Sequence, residues 1–251
     1  MSLWNRLTGK SRTPEFPELT DFASIGTDIH SHLIPGIDDG VQNLEESISM
    51  IRQLRELGIK KLVTTPHIMS DYFRNTPETI LGGLETVRSA IVQEGIDLSI
   101  DAAAEYYLDE VFVQRIEANE PLLKFAGNYI LFEVSYVNPP DNLHRIAFEL
   151  KIRGYSPILA HPERYPYWYN RLTEFEKLKE AGLLFQLNAN SLAGYYGPGA
   201  KRIGEWMIDQ NMIDFIGTDL HGERHLEALR RVVRERYFWK LASNGVKNSL
   251  L

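Results

Sequence analysis

Histidines and carboxylates follow six apolar, strand-like segments of this 251-residue sequence. In the first segment His30 and His32 are separated by one residue, and in the last Asp219 and His221 have the same spacing. Side chains at this spacing on a strand point to the same side, so the two members of each pair can coordinate one metal ion together. The pattern predicts one polynuclear metal site, whose candidate ligands are His30, His32, Asp39, His67, Glu105, Glu133, His161, Asp219 and His221.

Each motif is weaker alone than within the set, because a single His-x-His pair also occurs by chance. Glu105 and Glu133 follow apolar stretches where an unpaired carboxylate is costly to desolvate. A nearby cation removes that cost, while a solvated strand end or a salt bridge is the open alternative. Asp38-Asp39-Gly40 is either a turn before the first helix or the point where one carboxylate, which we take to be Asp39, returns to the ions.

The elements that must position these residues alternate between strand and helix patterns every 25 to 35 residues, roughly the length of a βα unit. A helix is predicted to begin after the N-cap Asn43, with Glu46 three residues later, and to end before Gly58. Strands are predicted near residues 24–32, 60–67, 98–106, 129–135, 156–161, 183–190 and 213–219. The fold class is therefore predicted as α/β, a distorted (β/α)7 TIM-like barrel whose C-terminal strand ends form the catalytic face.

Composition limits the class of protein. With 43% hydrophobic and 24% charged residues the chain fits a single domain, which we place at residues 25–251 after an N-terminal extension over residues 1–24. The net charge of -7 argues against a nonspecific nucleic-acid binder, because affinity for the phosphate backbone comes from clustered Lys and Arg. The absence of cysteine excludes disulfides, zinc-thiolate sites and a thiolate nucleophile.

The N-terminus lacks the apolar region of a secretory signal, and no stretch approaches the roughly 20 apolar residues of a membrane span. We therefore expect a cytoplasmic protein without membrane insertion. Leu3, Trp4 and Leu7 of the extension are expected either to dock on the body or a partner, or to belong to a partly disordered tail.

The motifs together resemble a known family. Their order along the chain is the one typical of the PHP (polymerase and histidinol phosphatase) superfamily. The motifs are Asp28-Ile29-His30-Ser31-His32, Asp38-Asp39-Gly40, Thr65-Pro66-His67, Glu105, Phe132-Glu133, Ala160-His161-Pro162-Glu163-Arg164 and Thr218-Asp219-Leu220-His221. Within that superfamily the sequence resembles the manganese-dependent bacterial protein-tyrosine phosphatases of the CpsB/YwqE type. The resemblance covers nearly the whole chain from about residue 27.

The resemblance implies a trinuclear site on a seven-stranded barrel, the PHP fold. The implied ligand sets are His30, His32, Glu105 and Asp219 for one ion, Glu105, Glu133 and His161 for a second, and Asp39, His67 and His221 for a third. Arg164 looks like the family's phosphate-binding arginine, and we group it with Asp219 and His221 as catalytic residues. The implied cofactors are three divalent ions, manganese first, with Fe, Zn or Mg as alternatives. The implied partner is a phosphotyrosine protein, a bacterial tyrosine kinase of capsule or exopolysaccharide regulation.

The expected reaction is phosphoester hydrolysis, in which a metal-bridging hydroxide attacks phosphorus in line without a covalent enzyme intermediate. Arg224 and Arg202 are secondary candidates for phosphate binding. Asn188 and Asn190 are expected to orient a metal-bound water or to cap a loop. Aromatic residues near the mouth are expected either to form a lip for the phosphotyrosine ring or to cover the core, namely Tyr165, Tyr167, Trp168, Tyr169, Tyr195 and Tyr196.

Three other functions stay open. A histidinol-phosphate phosphatase would share the metal face and accept a small alkyl phosphate. A PHP nuclease would act on phosphodiesters, which the acidic composition disfavours. A regulatory or binding module would keep the metals for structure and use the N-terminal extension to recruit a partner. An oligomer is compatible with each of these functions.

Overall fold

The computed structural model describes residues 19–251, so most of the predicted extension, including Leu3, Trp4 and Leu7, lies outside the described residues. The strands are β1 Thr27–Asp28, β2 Lys61–Thr64, β3 His67–Ile68, β4 Ser99–Ala102, β5 Glu105–Tyr107, β6 Tyr129–Glu133, β7 Ser156–Ala160, β8 Leu184–Asn188 and β9 Phe215–Gly217. The α-helices are α1 Leu44–Glu56, α2 Pro77–Gln93, α3 Glu110–Glu117, α4 Leu143–Ile152, α5 Leu172–Glu180, α6 Ala189–Leu192, α7 Gly197–Asp209, α8 Glu223–Val232 and α9 Arg236–Asn244. Within residues 19–251, no helix is both long and apolar enough to cross a membrane.

The named strands pair in parallel and form two sheets, with the orders β1-β2-β4 and β3-β5-β6-β7-β8-β9. The strand predicted at 60–67 is split into β2 and β3 by Thr65 and Pro66, and proline has no N–H for strand pairing. The strand predicted at 98–106 is likewise split into β4 and β5 at Ala103 and Ala104. The predicted α/β class with parallel strands is confirmed, and the interruptions are a feature that the sequence did not predict.

Helix α1 begins where the sequence predicts it. The side chain of Asn43 accepts a hydrogen bond from the backbone N of Glu46 at 2.9 Å, which confirms the N-cap. Gly58, just past the helix end, has a φ of +95°, a conformation that glycine adopts without strain. The buried hydroxyl of Ser47 donates to the carbonyl oxygen of Leu33 at 2.6 Å, which ties α1 to the segment that follows β1.

Strand residues alternate between two apolar layers. In β6, Ile130 and Phe132 belong to the large core between the sheets and the helices, whereas Leu131 belongs to a smaller core on the opposite face. The smaller core also contains Ile29 and Val63. Because side chains on a strand alternate in direction, the residue two positions after Leu131 shares its face, and that residue is Glu133. The alternation therefore turns a ligand candidate towards the inner face.

The first strand is joined to the residues after the last strand by polar contacts. Ser31 and Leu220 form an isolated parallel bridge. The buried carboxylate of Asp28 accepts hydrogen bonds from the backbone N of Thr218 at 2.9 Å and from its hydroxyl at 2.7 Å. Burial raises the pKa of Asp28 to about 6. These contacts fix the loop after β9 beside the residues that follow β1.

Asn248 makes a second joint between β1 and β9. Its buried amide donates to the carbonyl oxygens of Thr27 at 2.8 Å and Ile216 at 2.7 Å, and it accepts from the backbone N of Ile216 at 2.9 Å. Asn248→Ala leaves these backbone groups without that partner, so we expect the free energy of unfolding, measured by urea denaturation, to fall by about 2–4 kcal/mol. The control is Asn244→Ala, which loses only an exposed contact with Asn211. Equal effects of the two substitutions would contradict the role of Asn248.

Candidate metal centre

The structure brings all nine predicted ligands together where β1, β6, β7 and β9 end and where the short strands β3 and β5 begin. His30 and His32 follow β1, Glu133 ends β6 and His161 follows β7. His30 and His32 are fully buried. The other seven line a cavity of about 610 Å³, and they are Asp39, His67, Glu105, Glu133, His161, Asp219 and His221.

Five distances of similar length connect the ligand atoms of His30 and His32 with each other and with Glu105 and Asp219. Nε2 of His30 lies 3.4 Å from Nε2 of His32, 3.1 Å from Oε2 of Glu105 and 3.4 Å from Oδ1 of Asp219. Nε2 of His32 lies 3.5 Å from the same Glu105 oxygen and 3.4 Å from the same Asp219 oxygen. Two ligands of a tetrahedral zinc ion, with bonds of about 2.0–2.1 Å, lie about 3.3–3.4 Å apart. The distances from His30 and His32 to the two carboxylates are therefore compatible with a divalent cation bound beside this histidine pair.

A second group of donors surrounds Asp39. Its Oδ1 lies 3.5 Å from Nε2 of His67 and 3.3 Å from Nε2 of His221. His32 adds a fourth possible donor, and all four ligand atoms lie within 4.8 Å of one another. The group is more exposed than the first, since half of the Asp39 side chain is open to solvent.

Glu105 connects the first group to a third. Its Oε1 lies 3.2 Å from Nε2 of His161, whose Nε2 is 3.8 Å from Oε2 of Glu133. Nδ1 of His67 approaches the same two acids, at 3.3 Å from Oε2 of Glu105 and 3.5 Å from Oε1 of Glu133. The sequence-based sets assign His67 only to Asp39 and His221, whereas in the structure its two ring nitrogens face two different groups.

Hydrogen bonds to the far side of three imidazoles leave Nε2 facing the site. Nδ1 of His30 contacts Oε1 of Gln186 at 2.9 Å, and Nδ1 of His32 contacts the carboxylate of Asp38 at 2.8 Å. Nδ1 of His221 contacts a backbone carbonyl at 2.9 Å. Each of these oxygens accepts, so the proton belongs on Nδ1 and the lone pair of Nε2 is available to a metal. Although burial opposes ionisation, His32 holds the pKa of Asp38 at about 2, which keeps this carboxylate an acceptor.

The site concentrates negative charge away from water. Four of the carboxylates predicted as ligands line the cavity, and Arg164 is the only Lys or Arg among the lining residues that the structure describes. Burial and the neighbouring Glu105 raise the pKa of Glu133 well above its usual range. Oε2 of Glu105 and Nδ1 of His67 are buried without a hydrogen-bond partner. Uncompensated buried charges cost several kcal/mol each, so excess acid and orphaned donor atoms fit bound divalent ions.

Two of the nine residues have a strained backbone. His161 has a φ of +34° and Asp219 a φ of +49°, values in the left-handed region that cost on the order of 1 kcal/mol or more for residues other than glycine. The backbone N of Asp219 donates to the carbonyl oxygen of His30 at 2.7 Å, and that of His161 to Oε1 of Gln186 at 3.3 Å. These contacts hold both ligands in a conformation that a free loop would leave.

Arg164 is fixed between an acid and two aromatic rings. Its Nη1 donates to Oδ2 of Asp219 at 2.7 Å, and the amide of Asn188 donates to the same oxygen at 2.7 Å. The guanidinium carbon lies 4.0 Å from the ring centre of Tyr196 and 5.1 Å from that of Tyr136. The two carboxylate oxygens of Asp219 therefore have different partners. Oδ1 faces His30 and His32, and Oδ2 accepts the hydrogen bond from Arg164.

Only some of the remaining predicted residues line the active-site cavity. Arg224 and Arg202 are exposed on α8 and α7 and are not among the residues that line the cavity. Of the six aromatic residues, Tyr196 lines the cavity, whereas Tyr165 and Trp168 are buried in the core. His225, which was not among the predicted site residues, lines the cavity, and its Nδ1 accepts a hydrogen bond from the backbone N of His221 at 3.1 Å.

Sequence reasoning missed three residues that contact the candidate ligands. Asp38 and Gln186 orient His32 and His30, and the hydroxyl of Tyr136 lies 3.2 Å from Nδ1 of His161. Gln186 lies two residues before the end of β8, so strand alternation was a usable signal for it. Tyr136 follows β6 in a loop, where no periodic pattern marks its direction.

These observations define the class of protein, an α/β protein whose parallel strands end at a buried histidine and carboxylate centre beside an arginine. The family model described as capsular polysaccharide synthesis, CpsB/CapC, matches residues 26–237. The chain belongs to the CpsB/CapC family, which confirms the resemblance found in its motifs.

Relatives and solved structures agree with this assignment. The chain is 28% identical over 194 residues to tyrosine-protein phosphatase YwqE of Bacillus subtilis (strain 168), which covers 77% of this chain and 76% of that protein. It is 25% identical over 199 residues to tyrosine-protein phosphatase CpsB of Streptococcus pneumoniae, which covers 77% and 82%. It also resembles a solved chain from the YwqE and CpsB structures, described as unique metal-dependent tyrosine phosphatases, with a TM-score of 0.77, 27% identity and coverage of 90% of this chain and 93% of that one.

His30→Ala is expected to remove at least one ion per chain, because His30 belongs to two of the groups of side chains that could hold an ion. Elemental analysis of protein loaded with manganese and then desalted measures the ion content. The control is His144→Ala, which changes an exposed histidine on α4. An unchanged metal content in the His30 variant would show that the ions bind elsewhere.

Proposed function

We propose that this chain is a metal-dependent protein-tyrosine phosphatase that acts in capsule or exopolysaccharide regulation. The observation that carries the proposal is the contact of His30 and His32 with both Glu105 and Asp219, with Arg164 bound to the same Asp219. The relatives YwqE and CpsB are named tyrosine-protein phosphatases. No contact within residues 19–251 favours a histidinol-phosphate phosphatase, a nuclease or a non-catalytic module instead.

The proposed cofactors are three divalent ions, with manganese first and Fe, Zn or Mg as alternatives. The proposed ligand sets are His30, His32, Glu105 and Asp219, then Glu105, Glu133 and His161, then Asp39, His67 and His221. Donor distances of 3.1–3.5 Å support the first and third sets. The second is wider, at 3.8 Å between His161 and Glu133, and His67 is an additional donor close to it.

Different side chains of this protein have different proposed roles in phosphoester hydrolysis. Divalent ions bound in the site would lower the pKa of a coordinated water and neutralise phosphate charge. Arg164 presents a planar guanidinium that matches two phosphate oxygens, and Asp219 fixes its direction. His221, placed beside Asp39 and Asp219, completes the proposed catalytic group. In the proposed reaction the phosphoryl group is transferred directly to water, which becomes an oxygen of the phosphate as the tyrosyl oxygen leaves. The sequence has no cysteine that could act as a thiolate nucleophile instead.

The proposed substrate is a phosphotyrosine protein, in particular a bacterial tyrosine kinase. A cavity of about 610 Å³ has room for the phosphotyrosine side chain, and the rings of Phe73, Tyr136 and Tyr196 offer it aromatic walls. A tyrosyl leaving group has a pKa near 10, so it departs with little protonation. Arg224, exposed on the first turn of α8, is proposed to meet the substrate protein outside the cavity.

We also propose that the two sheets curve into one distorted (β/α)7 barrel of the PHP type within residues 25–251. Counting β2–β3 and β4–β5 as interrupted single strands gives seven, and the Ser31 to Leu220 bridge links the first to the last. A cytoplasmic location and an oligomeric state stay predictions from the sequence.

Chelation supplies the simplest test of the proposed chemistry. Hydrolysis of p-nitrophenyl phosphate with manganese is expected to vanish in EDTA and to return when manganese is restored. Vanadate, often potent against thiolate phosphatases, is expected to inhibit only modestly. Full activity in chelator would refute metal-dependent catalysis.

Arg164→Ala is expected to lower kcat/KM by about 10²–10³-fold, because a charge-assisted contact to the transition state is lost. Arg164→Lys should restore only part of it, since lysine cannot form the bidentate contact. Initial rates with p-nitrophenyl phosphate give these values, and elemental analysis checks that the ions remain. The control is Arg171→Ala, at an exposed position before α5. An effect of Arg164→Ala no larger than that of Arg171→Ala would remove Arg164 from the mechanism.

Tyr196→Leu is expected to weaken inhibition by inorganic phosphate about three- to tenfold, because Arg164 loses the ring that lies closest to it. Tyr196→Phe keeps that ring and should stay near the wild-type value. The inhibition constant of phosphate against p-nitrophenyl phosphate is the quantity compared. Equal weakening in both variants would assign the effect to the hydroxyl and contradict the stacking role.

A further inference from the structure

A second cavity, of about 440 Å³, lies between the residues that follow β3 and helix α3. We call it the side pocket. Met69 lines both the side pocket and the active-site cavity. Strand alternation separates the two, because His67 and Glu105 face the metal centre while the next residues, Ile68 and Tyr106, line the side pocket.

A short turn forms the partition between the two cavities. The backbone of Met69 and Phe73 forms two hydrogen bonds, of 2.9 and 3.0 Å. The ring of Phe73 stacks on His67 at the active site, with ring centres 5.3 Å apart. Tyr72, at the turn, is 75% exposed. A peptide that leaves the active site on this side therefore crosses an exposed aromatic side chain before it reaches the side pocket.

The lining of the side pocket is mainly apolar. The buried rings of Tyr106 and Phe112 stack with centres 4.6 Å apart, and Ile68 and Val111 contribute aliphatic groups. Val111, on the first turn of α3, is 40% exposed. A cavity of this size and lining suits a large apolar side chain.

The charges around the side pocket do not select an anion. Arg74 and Arg115 line it, but Asp71 and Asp109 do so as well, which balances the formal charge. The carboxylate of Asp109 already accepts two backbone N–H groups, at 2.8 and 2.9 Å. A second phosphate group would gain little net attraction here, so an apolar ligand is favoured.

We propose that the side pocket binds a large apolar side chain of the phosphoprotein, within about four residues of the phosphotyrosine. Four extended residues reach at most about 14 Å. The inference rests on the proposed phosphatase function and adds to it a preference for the sequence around the phosphotyrosine. Burial of a Leu or Phe side chain is expected to increase the affinity of the peptide about ten- to hundredfold, which is large enough to measure.

The test is equilibrium binding of peptides that carry a non-hydrolysable phosphonate in place of the tyrosine phosphate. Alanine-based peptides with a single Leu or Phe at each of the four positions on either side are compared on the manganese-loaded protein. We expect at least one position to tighten binding about tenfold. Val111→Asp should remove that gain, and it should fold because a carboxylate suits a helix N-terminus. The matched control is Val92→Asp, an exposed valine on α2 outside both cavities.

The outcomes separate this inference from the proposed function. If no position shows a preference for Leu or Phe, the proposal that the side pocket binds an apolar side chain is wrong. A preference that remains in the Val111→Asp variant would also contradict it. Tighter binding of a peptide with a second phosphonate-bearing residue than of one with Leu or Phe would also overturn it. Turnover of p-nitrophenyl phosphate, which is too small to reach the side pocket, should be equal in all three proteins. Its absence with manganese would reject the phosphatase function, while the binding data would still report on the side pocket.

Discussion

The cost of burying carboxylates constrains this structure more than any other interaction. Glu105 and Asp219 are nearly inaccessible to solvent, and both carboxylates contact the same histidine, His30. Arg164 supplies only one permanent positive charge there. A pocket of this kind is stable as an ionised cluster only when further positive charge enters it. The short distances from His30 and His32 to Glu105 and Asp219 indicate where a cation would lie.

The fold meets this constraint by placing donors from or beside six strands, β1, β3, β5, β6, β7 and β9, around one pocket. Parallel strands point their C-terminal ends to the same side, so distant sequence positions meet without a long loop. The contact between Asp28 and Thr218 fixes the loop that carries Asp219 beside His30. Asp219 then serves both parts of the site, since one oxygen faces the histidines and the other holds Arg164. In the proposed function, this single carboxylate therefore couples the stability of the fold to phosphate recognition.

Short-range periodicity was sufficient to place the strands approximately, but not to predict the breaks between β2 and β3 and between β4 and β5. The convergence of the nine residues was predicted from the parallel arrangement of the strands that carry them. The N-cap at Asn43 was also readable, since its partner Glu46 is three residues away. The support of His30 by Gln186 joins residues 156 positions apart, and no local pattern reports such a contact. Asp38 illustrates a different difficulty. Asp39 was chosen as a ligand from the sequence, but the contact of its neighbour Asp38 with His32 was not predicted and is visible only in the fold.

The most direct measurement is a crystal structure of manganese-loaded protein with anomalous diffraction data collected at the manganese edge. The account predicts an anomalous peak between Nε2 of His30, Nε2 of His32, Oε2 of Glu105 and Oδ1 of Asp219, with bonds of about 2.0–2.2 Å. Further peaks are expected beside Asp39 and beside Glu133. Manganese density on the protein surface, with none between these four atoms, would contradict the central claim.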